Sequence, residues 1–194
     1  MLLRNTSDRS SPWKLTVRFG VAAVAGLSPV AWATSISQEP GRLAASCILG
    51  WCLLRLAWID WHSLRLPNHL TIPLMAAGLA VTYALWPNAL AGHVAGALAG
   101  YAVLAGIAHL YRLTKGREGL GLGDAKLLAA GGAWLGWQAL PVTVLVATGL
   151  TLLLVLALYV AGRDITRHLA LPFGPPLAMA IWLVWLYGDP FAPV

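Results

Sequence analysis

Asp60 and Asp124 are two of only seven acidic residues in a chain of 194. Asp60 stands in Ile59-Asp60-Trp61-His62-Ser63-Leu64-Arg65-Leu66-Pro67-Asn68, and Asp124 closes Gly121-Leu122-Gly123-Asp124. Each lies at the end of a long apolar stretch, where an ionisable side chain costs roughly 2.5 to 3.5 kcal/mol to insert. Two carboxylates brought within hydrogen-bonding distance cannot both stay ionised, so the pair shares a proton and is an acid and a base together. The ionised member can take a proton from a water attacking a peptide carbonyl. The protonated member can polarise that carbonyl and later protonate the leaving amine. This chemistry needs no metal, no cofactor and no nucleophilic side chain, and it makes a membrane-embedded aspartic protease the leading expectation.

The elements that must position such a pair are apolar helices. The chain is 59% hydrophobic and 10% charged, with a mean hydropathy of +0.72, more apolar surface than a soluble domain of this size covers. A hydrocarbon core of roughly 30 Å takes about 20 helical residues. On that ruler spans are expected near Val17 to Ser35, Leu43 to Ile59, Leu70 to Trp86, Ala91 to Leu110, Ala125 to Ala139, Val142 to Ala161 and Gly174 to Tyr187. The expected fold class is therefore all-α, a polytopic membrane helix bundle of about seven transmembrane helices. It divides into an N-terminal cytoplasmic segment, residues 1–16, and a single transmembrane domain, residues 17–194. The first apolar run outlasts a signal-peptide core and reads as a retained span. The fifth and seventh spans are short and rich in Gly or Pro.

The formal net charge of +6 comes from Lys and Arg scattered between apolar runs, with no basic stripe for nucleic acid. These residues sort by side instead. Arg4, Arg9, Lys14 and Arg18, then Arg65, then Arg112, Lys115 and Arg117, then Arg163 and Arg167 fall on one face, which the positive-inside rule makes cytoplasmic. The expected N-terminus is inside and the C-terminus outside. Two complete crossings separate Asp60 from Asp124, so parity places both on the same face whichever way the chain is oriented. Cys47 and Cys52 share a span and point about 140° apart, so neither a disulfide nor a zinc site is expected. No His-x-x-x-His or Cys-x-x-Cys spacing supports a metal. His93 and His109 read as span-end and interfacial residues.

Around the pair, Gly121 and Gly123 allow backbone angles closed to other residues and a close approach of a substrate strand. The competing structural reading pairs Asp60 with Arg65 and makes Asp124 the N-cap of its helix. Arg65 at a cytoplasmic helix end suits anionic lipid headgroups, worth about 1 kcal/mol. Pro67 and Asn68 form a stiff turn into the next helix, with Asn68 a candidate cap. Lys126 lies about 200° around the helix from Asp124, so its default is to snorkel to headgroups. Gly92, Gly96 and Gly100 line one face for close helix packing. Pro172, Gly174, Pro175 and Pro176 are expected to break regular helix where the last span begins and to border the cleft.

Three blocks of this sequence resemble the type IV prepilin peptidases, bacterial membrane aspartic proteases that remove the leader from pilin and type II secretion pseudopilin precursors. The first is Asp60 with Arg65-Leu66-Pro67-Asn68. The second is Glu118-Gly119-Leu120-Gly121-Leu122-Gly123-Asp124-Ala125-Lys126-Leu127-Leu128, continuing to Trp137. The third is Leu171-Pro172-Phe173-Gly174-Pro175-Pro176. The resemblance implies that Asp60 and Asp124 are the catalytic pair. It implies an inner-membrane location, membrane-anchored prepilin or pseudopilin partners, and cleavage on the cytoplasmic side just before the precursor's apolar helix. Many members carry an insertion with two Cys-x-x-Cys pairs after the first span, associated with methylating the new N-terminus. Here only Thr34 to Arg42 joins the first two spans, so methyltransferase activity is not expected. A proton-coupled transporter is disfavoured because such groups sit near the midplane within internal repeats. A non-enzymatic assembly factor would tolerate Asp to Asn at either site. Presenilin-like proteases share Gly-x-Gly-Asp, but their first aspartate typically follows a Tyr within a span, whereas Ile59 precedes Asp60.

Overall fold

A computed structural model describes residues 40–63, 66–116, 121–162 and 173–188. The described residues form helices and no strand: α1 (Pro40–Ser63), α2 (Asn68–Leu85), α3 (Leu90–Lys115), α4 (Leu122–Leu135), α5 (Leu140–Val160) and α6 (Gly174–Tyr187), with a 3-10 turn at Pro87–Ala89. The expected span Val17 to Ser35 and the segment 1–16 lie outside them, as do Arg65, Glu118 and Pro172. Of the expected spans, the last falls on α6 and the others shift by a few residues. The largest change is α3, which runs to Lys115, where Gly116 at φ 65° ends it in the left-handed conformation.

Four helices, α1, α2, α3 with its preceding turn, and α5, are long and apolar enough to cross a membrane. They turn much apolar surface outward, including Leu98, Leu145 and Leu152. The two short helices take the opposite role. α4 and α6 have 14 residues each, and ten of each are buried. At 1.5 Å per residue each is about 21 Å long, short of a hydrocarbon core, and that is tolerable because protein surrounds them. α4 packs against α2, α3 and α6, and α6 packs against α1, α5 and α4. The core runs between them through Leu49, Leu56, Leu127, Leu128, Leu177 and Ile181.

Glycines set how close α3 and α4 come. A methyl added at Gly96 would sit 2.8 Å from the Trp137 nitrogen, and one at Gly100 would sit 2.7 Å from the Leu128 carbonyl oxygen. Two backbones meet here with no side chain between them, so dispersion and carbonyl contacts replace the hydrophobic effect that lipid does not provide. At the same end Trp137 N–H donates to the Gly92 carbonyl (3.2 Å), and His93 Nδ1 bonds the Ala133 carbonyl (3.0 Å). Tryptophans fix the remaining registers. Trp134 Nε1 donates to the Leu74 carbonyl on α2, and Trp185 Nε1 donates to Ser46 Oγ on α1, both at 2.8 Å.

At the opposite end the loop entering α2 is tied to the start of α4. Leu66 lies against Gly123, where an added methyl would come within 3.1 Å of the Leu66 Cβ. Lys126 Nζ donates to Asn68 Oδ1 at 2.8 Å. The ammonium expected to snorkel freely is therefore engaged across helices. Asn68 is the first helical residue, and Pro67 occupies the N-cap position, so the asparagine side chain accepts from Lys126 instead of capping.

Gly100→Val should destabilise the fold by about 1–3 kcal/mol through overpacking. Gly106→Ala, with nothing within 4 Å of the added carbon, should be neutral or slightly stabilising. Denaturant unfolding in detergent micelles distinguishes the two. For the polar clasp, a double-mutant cycle of Lys126→Ala and Asn68→Ala read by the same unfolding assay should return a coupling of about 1 kcal/mol.

Candidate active site

α1 carries Asp60 one turn before its end, and the side chain is 5% exposed. α4 carries Asp124 as its third residue, 9% exposed. Among the described residues neither carboxylate has an ion-pair partner. Asp60 Oδ2 accepts a hydrogen bond from the Gly174 N–H at 3.1 Å, across 114 positions of sequence. Asp124 accepts no hydrogen bond within the described residues, although its own N–H donates to the Gly121 carbonyl (3.1 Å).

Packing of the two short helices brings the carboxylates to one level. A methyl at Gly131 on α4 would meet Ile181 on α6 at 2.8 Å, and one turn further Trp134 and Trp185 stack edge to face at 5.4 Å. Residue numbers rise together along this contact, so α4 and α6 run parallel. Asp124 precedes Gly131, and Gly174 precedes Ile181, by the same number of residues, so Asp124 and Gly174 lie at the same height. Asp60 is bonded to Gly174, so both carboxylates come to the level of the α6 N-terminus. Parity from the sequence and packing in the fold agree on the face these groups share.

α3 overhangs the site. Gly96 lies against Gly132 and Gly100 against Leu128 in antiparallel register, which sets Asp124 opposite the buried Leu104 of α3. From Leu104 to Lys115 α3 runs on for about 16 Å past the carboxylates. Its last turn carries Arg112 and Lys115, both exposed.

Several expectations change in detail. Gly121 has φ −71° and ψ 132°, and neither it nor Gly123 is among the positive-φ glycines, so unusual backbone angles are not their use. They supply space: Gly123 admits Leu66, and a methyl at Gly121 would lie 3.6 Å from Asp124 Oδ2. Asp124 is not an N-cap residue. Gly121 holds that position, and no side chain caps the helix. Pro175 and Pro176 do not interrupt α6 but stand in its first turn, where a missing N–H and a preset φ suit a helix start. Gly174 lies against Asp60, as a cleft-bordering residue would. The main-chain donor itself was not anticipated; a glycine immediately before two prolines was the available signal. The pairing of Asp60 with Arg65 falls outside the described residues. No group of three or more His, Cys, Asp or Glu side chains is placed to hold a metal among the described residues.

The family model described as the type IV leader peptidase family matches residues 47–158, a stretch that contains both aspartates. The chain is 40% identical over 169 residues to the prepilin leader peptidase/N-methyltransferase of Aeromonas hydrophila, covering 87% of this chain and 58% of that protein. It is 41% identical over 164 residues to the protein of the same name from Pseudomonas putida, covering 82% and 54%. The chain thus spans a little over half the length of the curated relatives it matches. No solved structure matches it. With the motifs, the helical bundle and these relatives in agreement, the chain belongs to the type IV leader peptidase family.

Proposed function

We propose that this chain is an aspartic endopeptidase of the bacterial inner membrane that removes the leader from type IV prepilins or type II secretion pseudopilins at the cytoplasmic face. The observation that carries the reading is the pair of buried carboxylates, Asp60 and Asp124, at one height by the α6 N-terminus, with no ion-pair partner among the described residues. Such a pair shares a proton, so one carboxylate activates water while the other polarises the scissile carbonyl, and a proton from the pair passes to the leaving amine. Relatives named as prepilin leader peptidases give the substrate class. The cytoplasmic face is supported by Arg112 and Lys115, which end α3 on the side of the bundle that carries the carboxylates.

The substrate is a membrane-anchored precursor with a cytoplasmic leader and an apolar helix in the bilayer. Gly121, Gly123 and Gly174 leave space around the carboxylates, and Lys126, Asn68 and Pro67 hold the α2 and α4 starts together. Pro172 and Pro175 flank the α6 start, Glu118 precedes the Gly-Leu-Gly-Asp turn, and Arg65 follows Asp60 toward anionic headgroups. Nucleic acid has no part in this reading, which concerns cleavage and not methylation.

The test is cleavage of a prepilin by the purified full chain in lipid vesicles, scored by gel shift. Asp60→Asn and Asp124→Asn should each slow cleavage at least about a hundredfold, with unfolding transitions unchanged. Leader removal at the parent rate by either variant would refute the shared-proton mechanism. A chelator should leave the parent rate unaltered.

A further inference from the structure

The first turn of α6 offers one hydrogen-bond donor where most helices offer several. The first N–H groups of a helix have no partner within it. In Gly174-Pro175-Pro176 the two prolines have no N–H, and the Leu177 N–H already donates to the Phe173 carbonyl. The remaining donor, Gly174 N–H, points at Asp60 Oδ2. The residue bearing it is a glycine for a steric reason, since a Cβ there would lie 2.7 Å from the Asp60 Cγ. Asp124 has no equivalent donor among the described residues. A main-chain N–H bonded to a carboxylate oxygen stabilises its ionised form. The dipole of α4 favours a charge on Asp124 in its first turn and the C-terminal end of α1 opposes one on Asp60, so the Gly174 hydrogen bond has to outweigh both.

We propose that the Gly174 main-chain N–H fixes the division of labour in the pair, holding Asp60 as the carboxylate that takes the proton from water and leaving Asp124 as the acid that serves the peptide carbonyl. This assignment rests on the proposed peptidase function. In the addition step the water oxygen bonds to the carbonyl carbon. One water proton passes to Asp60, and the Asp124 proton passes to the carbonyl oxygen, giving a gem-diol. In the collapse Asp60 protonates the amide nitrogen and the C–N bond breaks. A hydroxyl proton returns to Asp124, releasing an acid and an amine with the pair in its starting state.

Among the described residues few other titratable groups share this space, and those that α3 brings from Tyr101 onward, Tyr101, His109, Tyr111, Arg112 and Lys115, are all exposed. α6 brings none before Tyr187 at its far end, and α2 brings His69, which is exposed. α4 adds Lys126, bonded to Asn68, and on α1 itself His62 bonds the Trp58 carbonyl.

Two measurements test the assignment. Gly174→Ala drives a methyl against the Asp60 carboxylate and lengthens its hydrogen bond. The acidic limb of the pH profile of kcat/KM, which reports the base, should then move up by roughly one pH unit while the basic limb stays. A basic limb that moves instead, or an equal loss at every pH, overturns the proposal. The second measurement needs neither that variant nor a substrate. With only seven acidic residues in the chain, the infrared band of a protonated carboxyl at neutral pH is readable against a small background. Each single variant leaves one carboxyl with its burial and donors alone, so the band should survive to higher pH in Asp60→Asn than in Asp124→Asn; equal or reversed survival overturns the assignment. A parent chain that cleaves no prepilin refutes the proposed function, and the infrared pattern still shows where the proton sits.

Discussion

A carboxylate withdrawn from water among apolar helices, with no cation paired to it among the described residues, is the constraint that organises this bundle. Such a group is sustained by donors the protein itself supplies or by giving up its charge to a proton. Asp60 receives a peptide N–H from the start of α6, while Asp124 has no such donor among the described residues. The arrangement is only as good as the heights of three helix ends: the last turn of α1 and the first turns of α4 and α6. Those heights are set far from the carboxylates, by Gly131 against Ile181, by Trp134 against Trp185, and by the Trp185 indole on Ser46 of α1.

Glycine does two different jobs in this framework. Along α3 and α4 it removes side chains so that Gly96 and Gly132, and then Gly100 and Leu128, meet backbone to backbone. That closeness lets α4, too short to span a hydrocarbon core by itself, sit at the centre with ten of its fourteen residues buried. Around the carboxylates glycine removes side chains so that other groups fit: Leu66 against Gly123, and the Asp60 carboxylate against Gly174. Positive φ is reserved for Gly116, Gly136, Gly162 and Gly188, in the turns and helix ends.

The helical class, the six helices that the structure describes and the shared face of Asp60 and Asp124 were legible in the sequence. Apolar run length and parity depend only on counting crossings. Helix ends were less legible. α3 continues through Arg112 to Lys115 because polar residues propagate a helix as well as apolar ones until Gly116 ends it, and hydropathy marks where lipid ends rather than where the helix does. The roles of Lys126, Asn68 and the glycines before Asp124 were misjudged for a common reason. Each depends on a neighbour distant in sequence, Lys126 on Asn68 and Gly123 on Leu66, and single-helix geometry carries no information about such a neighbour. The Gly174 donor was hidden further, because a main-chain N–H leaves no mark in residue identity except the two prolines that remove its competitors.

Depth within the bundle links this geometry to the proposed substrate. The carboxylates lie opposite Leu104, about 16 Å of helix short of the Lys115 end of α3. A peptide that reaches them from that end in extended form, at about 3.3 Å per residue, needs roughly five residues free of helix. A helical peptide hides its carbonyls in i to i−4 bonds and has to unwind before one of them can meet the pair. A precursor cut just before its apolar helix meets this demand, because the bond to be broken then lies where helix gives way to extended chain. Under the proposed function this overhang would make the enzyme select for position along the precursor as well as for residue type.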